Sequence, residues 1–303
     1  MTDKPALPIT EQDNPRTHDL SSRSVMEILG VINDEDTGVP AAVGRELPAI
    51  GRAVEAIVDR LRRGGRLFYV GCGTSGRLGV LDASECPPTF GVARELIQGV
   101  IAGGYDACHR AVEASEDDRA AGGRDLATHG VDAADAVIGL AASGRTPYTI
   151  GAVEHARRLG AFTAAVTCAP GSEITGVAEV SIVPVVGPEV LTGSSRMKAG
   201  TAQKLVLNMI STAVMIRLGY VAGNRMSNMR PANEKLRERS LRVISAETGV
   251  GEDAARAALE RAGGDLPLTL VMLKSGRSLE DARDALAATH AVVSDAVARL
   301  TRS

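Results

Sequence analysis

Five short apolar segments alternate with helical patterns through the middle of the chain. They cover residues 66–70, 95–101, 136–140, 161–166 and 180–186. Most of them lead into turns rich in glycine, serine or threonine, which is typical of parallel strands that are buried on both faces. Strands that alternate with helices predict a doubly wound α/β fold with a five-stranded parallel sheet. Ligands of such sheets bind outside the carboxyl ends of the strands, so the loops there are the place to look for chemistry.

The segment before the first strand is predicted to be helical after a polar arm. Residues 1–22 have no periodic apolar pattern, and we expect little structure of their own there. From Ser24 onward, apolar residues recur at helical spacing on one face, namely Val25, Met26, Ile28, Leu29 and Ile32. A second helical pattern opens at Pro40 and ends at Gly64-Gly65. We therefore assign residues 1–55 to an N-terminal arm and helices.

The segment after the last strand is also predicted to be helical. A long helical pattern begins after Ser194 and runs to about Leu218, and residues 224–233 have the polar composition of a linker. Three short helical segments follow at 237–247, 251–262 and 279–300, with the last one bent or broken. The expected domains are thus a sheet domain at 56–220 and a small helical C-terminal domain at 221–303.

Composition excludes several classes of protein. The 303 residues have a formal net charge of −3, and only 2% are aromatic, so neither a basic surface nor a stacking platform for nucleic acid is expected. Residues 1–14 are polar, and no apolar run is long enough to span a membrane. The four cysteines have no zinc-ligand spacing. We expect a cytoplasmic protein that has no membrane or nucleic-acid partner and requires no metal.

The loop at residues 71–77, which we call the first loop, has the formal pattern G-x-G-x-x-G of dinucleotide-binding proteins. Such proteins carry an acidic residue at the end of the second strand, which binds the ribose. Here that strand is followed by Ala102-Gly103, so the indication of NAD is weak. The pattern G-x-x-x-x-G-K-[ST] is absent as well, which disfavours a nucleoside triphosphate.

Three loops that follow predicted strands have the chemistry of a phosphate site. Backbone amides at a helix N-terminus, together with hydroxyl groups, bind phosphate well. Besides the first loop, these are the second loop at residues 142–147 and the third loop at residues 191–196. One such turn would be ordinary, but three at one edge of a sheet predict a small phosphorylated ligand. The candidate binding residues are Gly73, Thr74, Ser75, Gly76, Ser143, Gly144, Thr146, Ser194 and Ser195.

Two carboxyl groups are candidates for acid–base chemistry. Glu85 precedes Cys86-Pro87-Pro88, and we expect the prolines to end the helix there, so that Glu85 lies in a final turn where the dipole favours a protonated carboxyl. Glu116 follows Ser115, which has the spacing of a helix start, so the dipole would favour its ionised form. Two carboxyls whose pKa values are pushed apart are typical of an acid and a base. Ordinary solvated carboxylates are the alternative.

Four longer stretches of the sequence form motifs that reach beyond the single loops. The first stretch is Gly71-Cys-Gly-Thr-Ser-Gly-Arg-Leu-Gly-Val-Leu-Asp-Ala-Ser-Glu-Cys-Pro-Pro-Thr-Phe90. Others are Ile32-Asn-Asp-Glu-Asp36, Ala141-Ala-Ser-Gly-Arg-Thr-Pro-Tyr148 and Thr192-Gly-Ser-Ser-Arg-Met-Lys-Ala-Gly-Thr-Ala-Gln-Lys-Leu-Val-Leu-Asn208. Motifs of this length are far more specific than G-x-G-x-x-G. In these motifs the sequence resembles the N-acetylmuramic acid 6-phosphate etherases, a family with the sugar isomerase (SIS) fold.

The resemblance has functional implications. It implies cleavage of the D-lactyl ether of N-acetylmuramic acid 6-phosphate during cell-wall recycling, by a homodimer that needs no cofactor. The acid–base glutamates of the family match Glu85 and Glu116. Two alternatives share the fold, namely an aldose–ketose isomerase of sugar phosphates and a non-catalytic sugar-phosphate sensor. The presence of both glutamates favours an enzyme over a sensor.

Overall fold

The computed structural model describes residues 7–110, 112, 116–229 and 234–302. The chain forms two compact units. The first unit comprises Met1–Ser84 and Glu95–Ser211, and the second unit comprises Glu85–Arg94 and Thr212–Ser303. Within the described residues, no helix combines the length and the apolar character that a membrane crossing requires.

A five-stranded sheet forms the centre of the first unit. Its strands are β1 (Leu67–Gly71), β2 (Ile97–Ile101), β3 (Ala136–Leu140), β4 (Phe162–Val166) and β5 (Val180–Ile182). Their order is β2-β1-β3-β4-β5, and all four pairings are parallel. This confirms the predicted doubly wound α/β fold. In the register, Gly71 at the end of β1 pairs with both Ile101 and Leu140, so three strands end at the same level.

The helices of the first unit pack around a sheet that is buried on both faces. Every residue of β1, β3 and β4 is buried, which explains why these strands are continuous apolar runs rather than alternating ones. The helices are α1 (Val25–Asp36), α2 (Val39–Gly44), α3 (Leu47–Arg62), α4 (Gly73–Phe90), α5 (Arg119–Thr128), α6 (Pro147–Arg158), α7 (Glu173–Val177) and α8 (Lys198–Arg217). Helices α4 and α8 each begin in the first unit and end in the second.

The N-terminal arm has more structure than its sequence predicts. Short 3-10 helices form at Ile9–Glu11 and Leu20–Ser22, and the polar side chains of Thr10, Asn14 and Thr17 are buried. The expectation of little structure was therefore wrong for residues 7–22. Residues 1–6 lie outside the described residues. The arm lacks periodicity because hydrogen bonds to distant parts of the chain, rather than an apolar face, hold it in place.

The predicted helix starts are largely confirmed. Ser24 and Glu27 form a reciprocal capping box at the start of α1. The pattern that opens at Pro40 divides into α2 and α3, because Pro48 has no amide to donate to the carbonyl four residues earlier. Pro147 opens α6, as the sequence predicts.

The second unit contains a short hairpin and a bundle of helices. The hairpin pairs β6 (Val221–Ala222) with β7 (Arg225–Met226), where the sequence predicts a linker, and residues 230–233 lie outside the described residues. Helices α9 (Glu234–Thr248), α10 (Glu252–Arg261), α11 (Leu266–Ser275), α12 (Leu279–Ala288) and α13 (Val293–Thr301) follow. Two consecutive residues with positive φ, His290 and Ala291, separate α12 from α13, which confirms the predicted break.

Helix α11 is absent from the predicted helices, although its ends carry clear signals. Asp265 caps its first turn by accepting a hydrogen bond from the Leu268 amide at 2.8 Å, and Gly276 ends it with φ +67°. Six of its ten residues are buried, so the helix is apolar nearly all round and shows no amphipathic period. Its terminal residues, rather than its periodicity, identify it.

Candidate active site

The first loop is in fact the first turn of helix α4. The helix starts at Gly73, which has φ +51°, and its first internal hydrogen bond runs from the Gly76 amide to the Cys72 carbonyl at 3.0 Å. The amides of Gly73, Thr74 and Ser75 therefore have no partner within the helix. A Cβ atom on Gly76 would lie 2.6 Å from the Gly71 carbonyl oxygen, so only glycine permits this close approach of helix to strand.

Helix α8 lies directly against this turn. The hydroxyl of Ser75 donates a hydrogen bond of 2.9 Å to Oε1 of Gln203, and Ser75 is 9% exposed. A Cβ atom on Gly200 would lie 3.6 Å from Cγ2 of Thr74. Thr74 itself is half-buried, and so is Gly73. The structure therefore brings the first loop together with the start of the helix that follows the third loop.

The second loop turns sharply at Gly144. This residue has φ +66°, and a Cβ atom there would lie 1.9 Å from Oγ of Ser172, so no other residue fits. Thr146 is the N-cap residue of α6, but its side chain makes no capping hydrogen bond. Ser143 and Thr146 are both half-buried. Because β1 and β3 are paired, the second loop begins at the same edge of the sheet as the first loop.

The third loop is followed by a helix whose N-terminus already holds a carboxylate. Oxygens of Glu189 accept hydrogen bonds from the amides of Lys198 at 3.0 Å and Ala199 at 2.9 Å, the first residues of α8. Glu189 has no exposed surface. Burial raises the pKa of Glu189, and the two amide hydrogen bonds offset this only in part. Half-buried Ser194 and Ser195 therefore offer hydroxyl groups next to amides that are already bonded.

A buried ion pair fixes the same helix end from a different direction. Nζ of Lys198 lies 2.5 Å from a carboxylate oxygen of Glu35 on α1, and the Lys198 side chain is 3% exposed. The guanidinium of Arg16 also contacts Glu35, at 2.8 Å. Burial alone would raise the pKa of Glu35, but the hydrogen bond and charge of Lys198 outweigh it, and the net pKa is lowered. The positive charge of Lys198 is thus balanced by a carboxylate of the protein itself.

The N-terminal arm covers part of the third loop. The hydroxyl of Thr192 donates to a carboxylate oxygen of Asp13 at 2.9 Å, and Nδ2 of Asn14 donates to the Pro188 carbonyl at 3.3 Å. A Cβ atom on Gly193 would lie 3.2 Å from Oε2 of Glu11. These contacts hold the arm against the third loop and the residues just before it, and one of them gives the buried Asn14 side chain a partner.

Glu116 lies beside the first loop. Its carbonyl oxygen accepts a hydrogen bond of 3.0 Å from the amide of Tyr148 in the first turn of α6. Its Oε1 atom is 3.2 Å from the position that a Cβ on Gly73 would occupy. Burial, and then the charge of Glu116, raise the pKa of the Cys72 thiol to about 12. Glu116 thus connects the α4 N-terminus with the helix that follows the second loop.

The predicted local setting of Glu116 was nevertheless wrong. Asp118 is the N-cap residue of α5, and its carboxylate accepts hydrogen bonds from the amides of Ala120 at 2.9 Å and Ala121 at 3.0 Å. The predicted cap, Ser115, lies outside the described residues. Glu116 therefore precedes the helix and is not in its first turn. Asp118 takes this role because it directly precedes the helix and its carboxylate reaches both free amides.

The predicted setting of Glu85 was also wrong. Helix α4 continues through Pro87 and Pro88 to Phe90, so Glu85 is an exposed residue in the body of the helix. The φ angle of proline is compatible with a helix, and Cys86 and Phe90, four residues apart, are both buried. Their packing outweighs the hydrogen bonds that the two prolines cannot donate. Glu85 is thus not in a last helical turn and Glu116 is not in a first one, so the helix-end positions that we expected for an acid and a base are both absent.

Comparison with known proteins identifies the family. A family model for the glucokinase regulatory protein N-terminal SIS domain matches residues 49–157. An N-acetylmuramic acid 6-phosphate etherase of Symbiobacterium thermophilum is 54% identical over 88% of this chain and 89% of its own length. One of Clostridium beijerinckii is 51% identical over 90% of both chains. The chain belongs to the N-acetylmuramic acid 6-phosphate etherase family.

A solved structure supports the fold assignment. A phosphoheptose isomerase from Francisella tularensis superimposes with a TM-score of 0.51, covering 64% of this chain and all of that one. Its sequence is only 17% identical, so the similarity concerns the fold alone. Both the SIS fold and the etherase family are thus confirmed as the resemblance implied. Across the described residues, no group of three or more histidine, cysteine, aspartate or glutamate side chains is arranged to hold a metal ion.

Sequence reasoning missed several buried polar residues that hold α8 against α4 or fill its N-terminus. Asp82 on α4 is buried, and it accepts hydrogen bonds from Nδ2 of Asn208 at 2.7 Å and from the hydroxyl of Ser211 at 3.2 Å, both on α8. Gln203 and Glu189 were missed as well. One signal was available, because Gln203 shares its helical spacing with three apolar residues, Leu207, Ile210 and Val214. A polar residue in such a row indicates a buried hydrogen bond.

Proposed function

We propose that this chain cleaves the D-lactyl ether of N-acetylmuramic acid 6-phosphate to N-acetylglucosamine 6-phosphate and D-lactate. Identity of 54% with a named etherase over 88% of the chain carries this proposal. The geometry supports it because the Glu116 carboxyl lies beside the α4 N-terminus, where amides and hydroxyls suit a phosphate. The family model for the regulatory protein spans only residues 49–157, so the sensor alternative has less support.

The reaction is an elimination followed by a hydration. In the open-chain sugar, the aldehyde acidifies the hydrogen at C2. We assign Glu116 as the base that removes this proton and Glu85 as the acid that protonates the departing lactate oxygen while the C3–O bond breaks. Water then adds at C3 of the unsaturated aldehyde, and C2 regains a proton. The hydroxyls of the three loops and the N-terminal amides of α4 hold the phosphate, which orients the sugar from a remote point.

We propose a homodimer that acts in the cytoplasm during cell-wall recycling, without a metal or cofactor. The apolar face of α1 supports a second copy as partner, since Val25, Met26 and Leu29 are 71%, 75% and 53% exposed. Exposed apolar side chains that are clustered on one helix face are typical of interaction surfaces. Met26→Asp is expected to convert the dimer to monomers in sedimentation velocity, and an unchanged sedimentation coefficient would contradict this face as the interface.

Lactate release tests the proposed activity. The protein is incubated with N-acetylmuramic acid 6-phosphate in deuterated or in ¹⁸O-enriched water, and D-lactate is assayed. The expected products are D-lactate and a sugar phosphate with deuterium at C2 and solvent oxygen at C3. Retention of the original oxygen at C3 would exclude elimination and hydration. Formation of a ketose phosphate without lactate would favour the isomerase alternative.

A further inference from the structure

Gln203 is a buried polar residue that touches the predicted phosphate loop. It has no exposed surface, and it lies on the same face of α8 as buried Leu207 and Ile210. Its Oε1 atom accepts the hydrogen bond of 2.9 Å that the Ser75 hydroxyl donates. A buried amide in apolar surroundings is unfavourable unless its donors and acceptor are all bonded. The NH2 group of the Gln203 side chain therefore needs a hydrogen-bond partner as well.

This NH2 group has no such partner in the described residues. Within the part of the chain that the structure describes, Nε2 of Gln203 is buried and has no hydrogen-bond partner. In addition, Ser75 has only one proton, and Gln203 receives it. In this arrangement Ser75 offers only lone pairs to a ligand, and lone pairs repel a phosphate oxygen. The arrangement thus conflicts with Ser75 binding a phosphate.

A half-turn of the Gln203 amide removes the conflict. The oxygen and the NH2 group of a primary amide have nearly the same shape, so the turn exchanges them without moving other atoms. Nε2 then donates to Oγ of Ser75, and the Ser75 proton is free to bond to a phosphate oxygen. The turn also gives the buried NH2 group a partner, while the unbonded position passes to a carbonyl oxygen, where an unmade bond is better tolerated.

We propose that Gln203 is a positioning residue that turns Ser75 into a hydrogen-bond donor for the phosphate of the substrate. The inference rests on the proposed function, because it requires a phosphorylated ligand at the first loop. It assigns Gln203 a role in affinity for the phosphate and none in the chemical step. Accordingly, changes at Gln203 should alter KM and the dissociation constant of the product rather than kcat.

Two substitutions test the orientation of the hydrogen bond. In Gln203→Glu the ionised carboxylate only accepts a hydrogen bond, so it retains the Ser75 proton. At a pH high enough to ionise this buried carboxyl, the dissociation constant of N-acetylglucosamine 6-phosphate should rise about 30-fold. In Gln203→Leu the Ser75 hydroxyl proton can bond to the phosphate, but no amide donates to Oγ of Ser75 to orient it. The dissociation constant should therefore rise only about fivefold. Isothermal titration calorimetry measures the constants, and kcat at saturation should change less than about twofold for both variants.

A double-mutant cycle with Ser75→Ala separates positioning from charge. Once Ser75 lacks its hydroxyl, Gln203→Glu should cost no more than about threefold, which is the part due to charge alone. Penalties that simply multiply would overturn the inference, and so would equal penalties for the Glu and Leu variants. Ser211→Ala is the matched control on α8. It should lower the unfolding temperature without changing the dissociation constant.

The outcome for the unmodified protein distinguishes this inference from the proposed function. If the wild type releases D-lactate and the Gln203 variants bind N-acetylglucosamine 6-phosphate as it does, only the role of Gln203 is refuted. If the wild type neither binds this sugar phosphate nor releases lactate, both are refuted. A loss of affinity that is fully explained by a lower unfolding temperature, together with an equal loss in kcat, would show a merely structural role.

Discussion

Helices α4 and α8 both begin after a loop rich in glycine and hydroxyl groups, but they use their N-terminal amides differently. At α4, the amides of Gly73, Thr74 and Ser75 have no partner within the helix, and Gly73 and Thr74 are half-buried. At α8, the carboxylate of Glu189 is bonded to the amides of Lys198 and Ala199. The N-terminus of α4 is suited to an anionic ligand, whereas the N-terminus of α8 is occupied by the carboxyl group of Glu189.

The difference teaches how similar loop sequences acquire different roles. A helix N-terminus favours negative charge by roughly 0.3–1 kcal/mol at the surface and by more when it is partly buried. At α8 both amides are already bonded to the buried carboxyl group of Glu189, and the charge of Lys198 is balanced by Glu35. At α4 the preference remains available to a ligand. The hydroxyls of Ser194 and Ser195, rather than the amides of α8, are what the third loop can contribute.

The largest expected effect concerns chemistry at the α4 end. Glu116→Gln removes the proposed base and should lower kcat by about 10³-fold, while the dissociation constant of N-acetylglucosamine 6-phosphate changes less than about threefold. Lactate release and calorimetry measure the two quantities. Asp117→Asn, at an exposed neighbouring position, is the matched control and should leave kcat unchanged. Full activity of the Gln variant would remove Glu116 from the mechanism.

The second prediction concerns removal of the Glu189 carboxyl group from the N-terminus of α8. Glu189→Ala leaves two buried amides without a partner and should lower the free energy of unfolding by about 3 kcal/mol. Inorganic phosphate should restore part of this stability by occupying the vacated position. Thermal and denaturant unfolding measure both effects. Asp118→Ala removes the exposed cap of α5 and should cost only about 1 kcal/mol. Equal losses for the two variants would refute the difference between buried and exposed caps.

The third prediction compares a hydroxyl group of the first loop with one of the third loop. Thr74→Val keeps the shape of the side chain but removes its hydroxyl, and it should weaken binding of N-acetylglucosamine 6-phosphate about tenfold. Thr192→Val in the third loop loses only its bond to Asp13 and should change affinity less than about twofold. Calorimetric titrations of both variants check this order. The reverse order would transfer phosphate recognition to the third loop.

The smallest effect is a pH dependence of stability. Because burial raises the pKa of Glu189 above its ordinary value of 4.5, the stability from this carboxyl is fully present below pH 4.5 and is lost as pH rises through the folded pKa. Glu189→Gln does not titrate, so it should become more stable relative to wild type as pH increases. The pKa of Glu35 is lowered, so Glu35→Gln should become more stable relative to wild type as pH falls. Denaturant unfolding at several pH values measures the difference in unfolding free energy between each variant and the wild type. This difference should change with pH in opposite directions for the two variants.

Local signals sufficed wherever local physics decides the structure. The strand predicted at 136–140 has the bounds of β3, since a buried parallel strand is a continuous apolar run between turns. Pro147 and the pair of Ser24 and Glu27 start helices, because the residues that define those ends are only a few positions apart. The hydroxyl-rich loops were found for the same reason, since they lie directly after strands.

Long-range packing decided what the local signals left open. Two prolines predict a helix end after Glu85, yet buried Cys86 and Phe90 keep α4 helical to its end. Whether a helix N-terminus is open or filled depends on a carboxylate such as Glu189, which reaches α8 from nine residues away in the sequence. The sequence by itself determined the alternation of strands and helices in the sheet domain and the family. Only the tertiary structure decided which amides are free, because burial and hydrogen-bond partners come from the packing of residues that are distant along the chain.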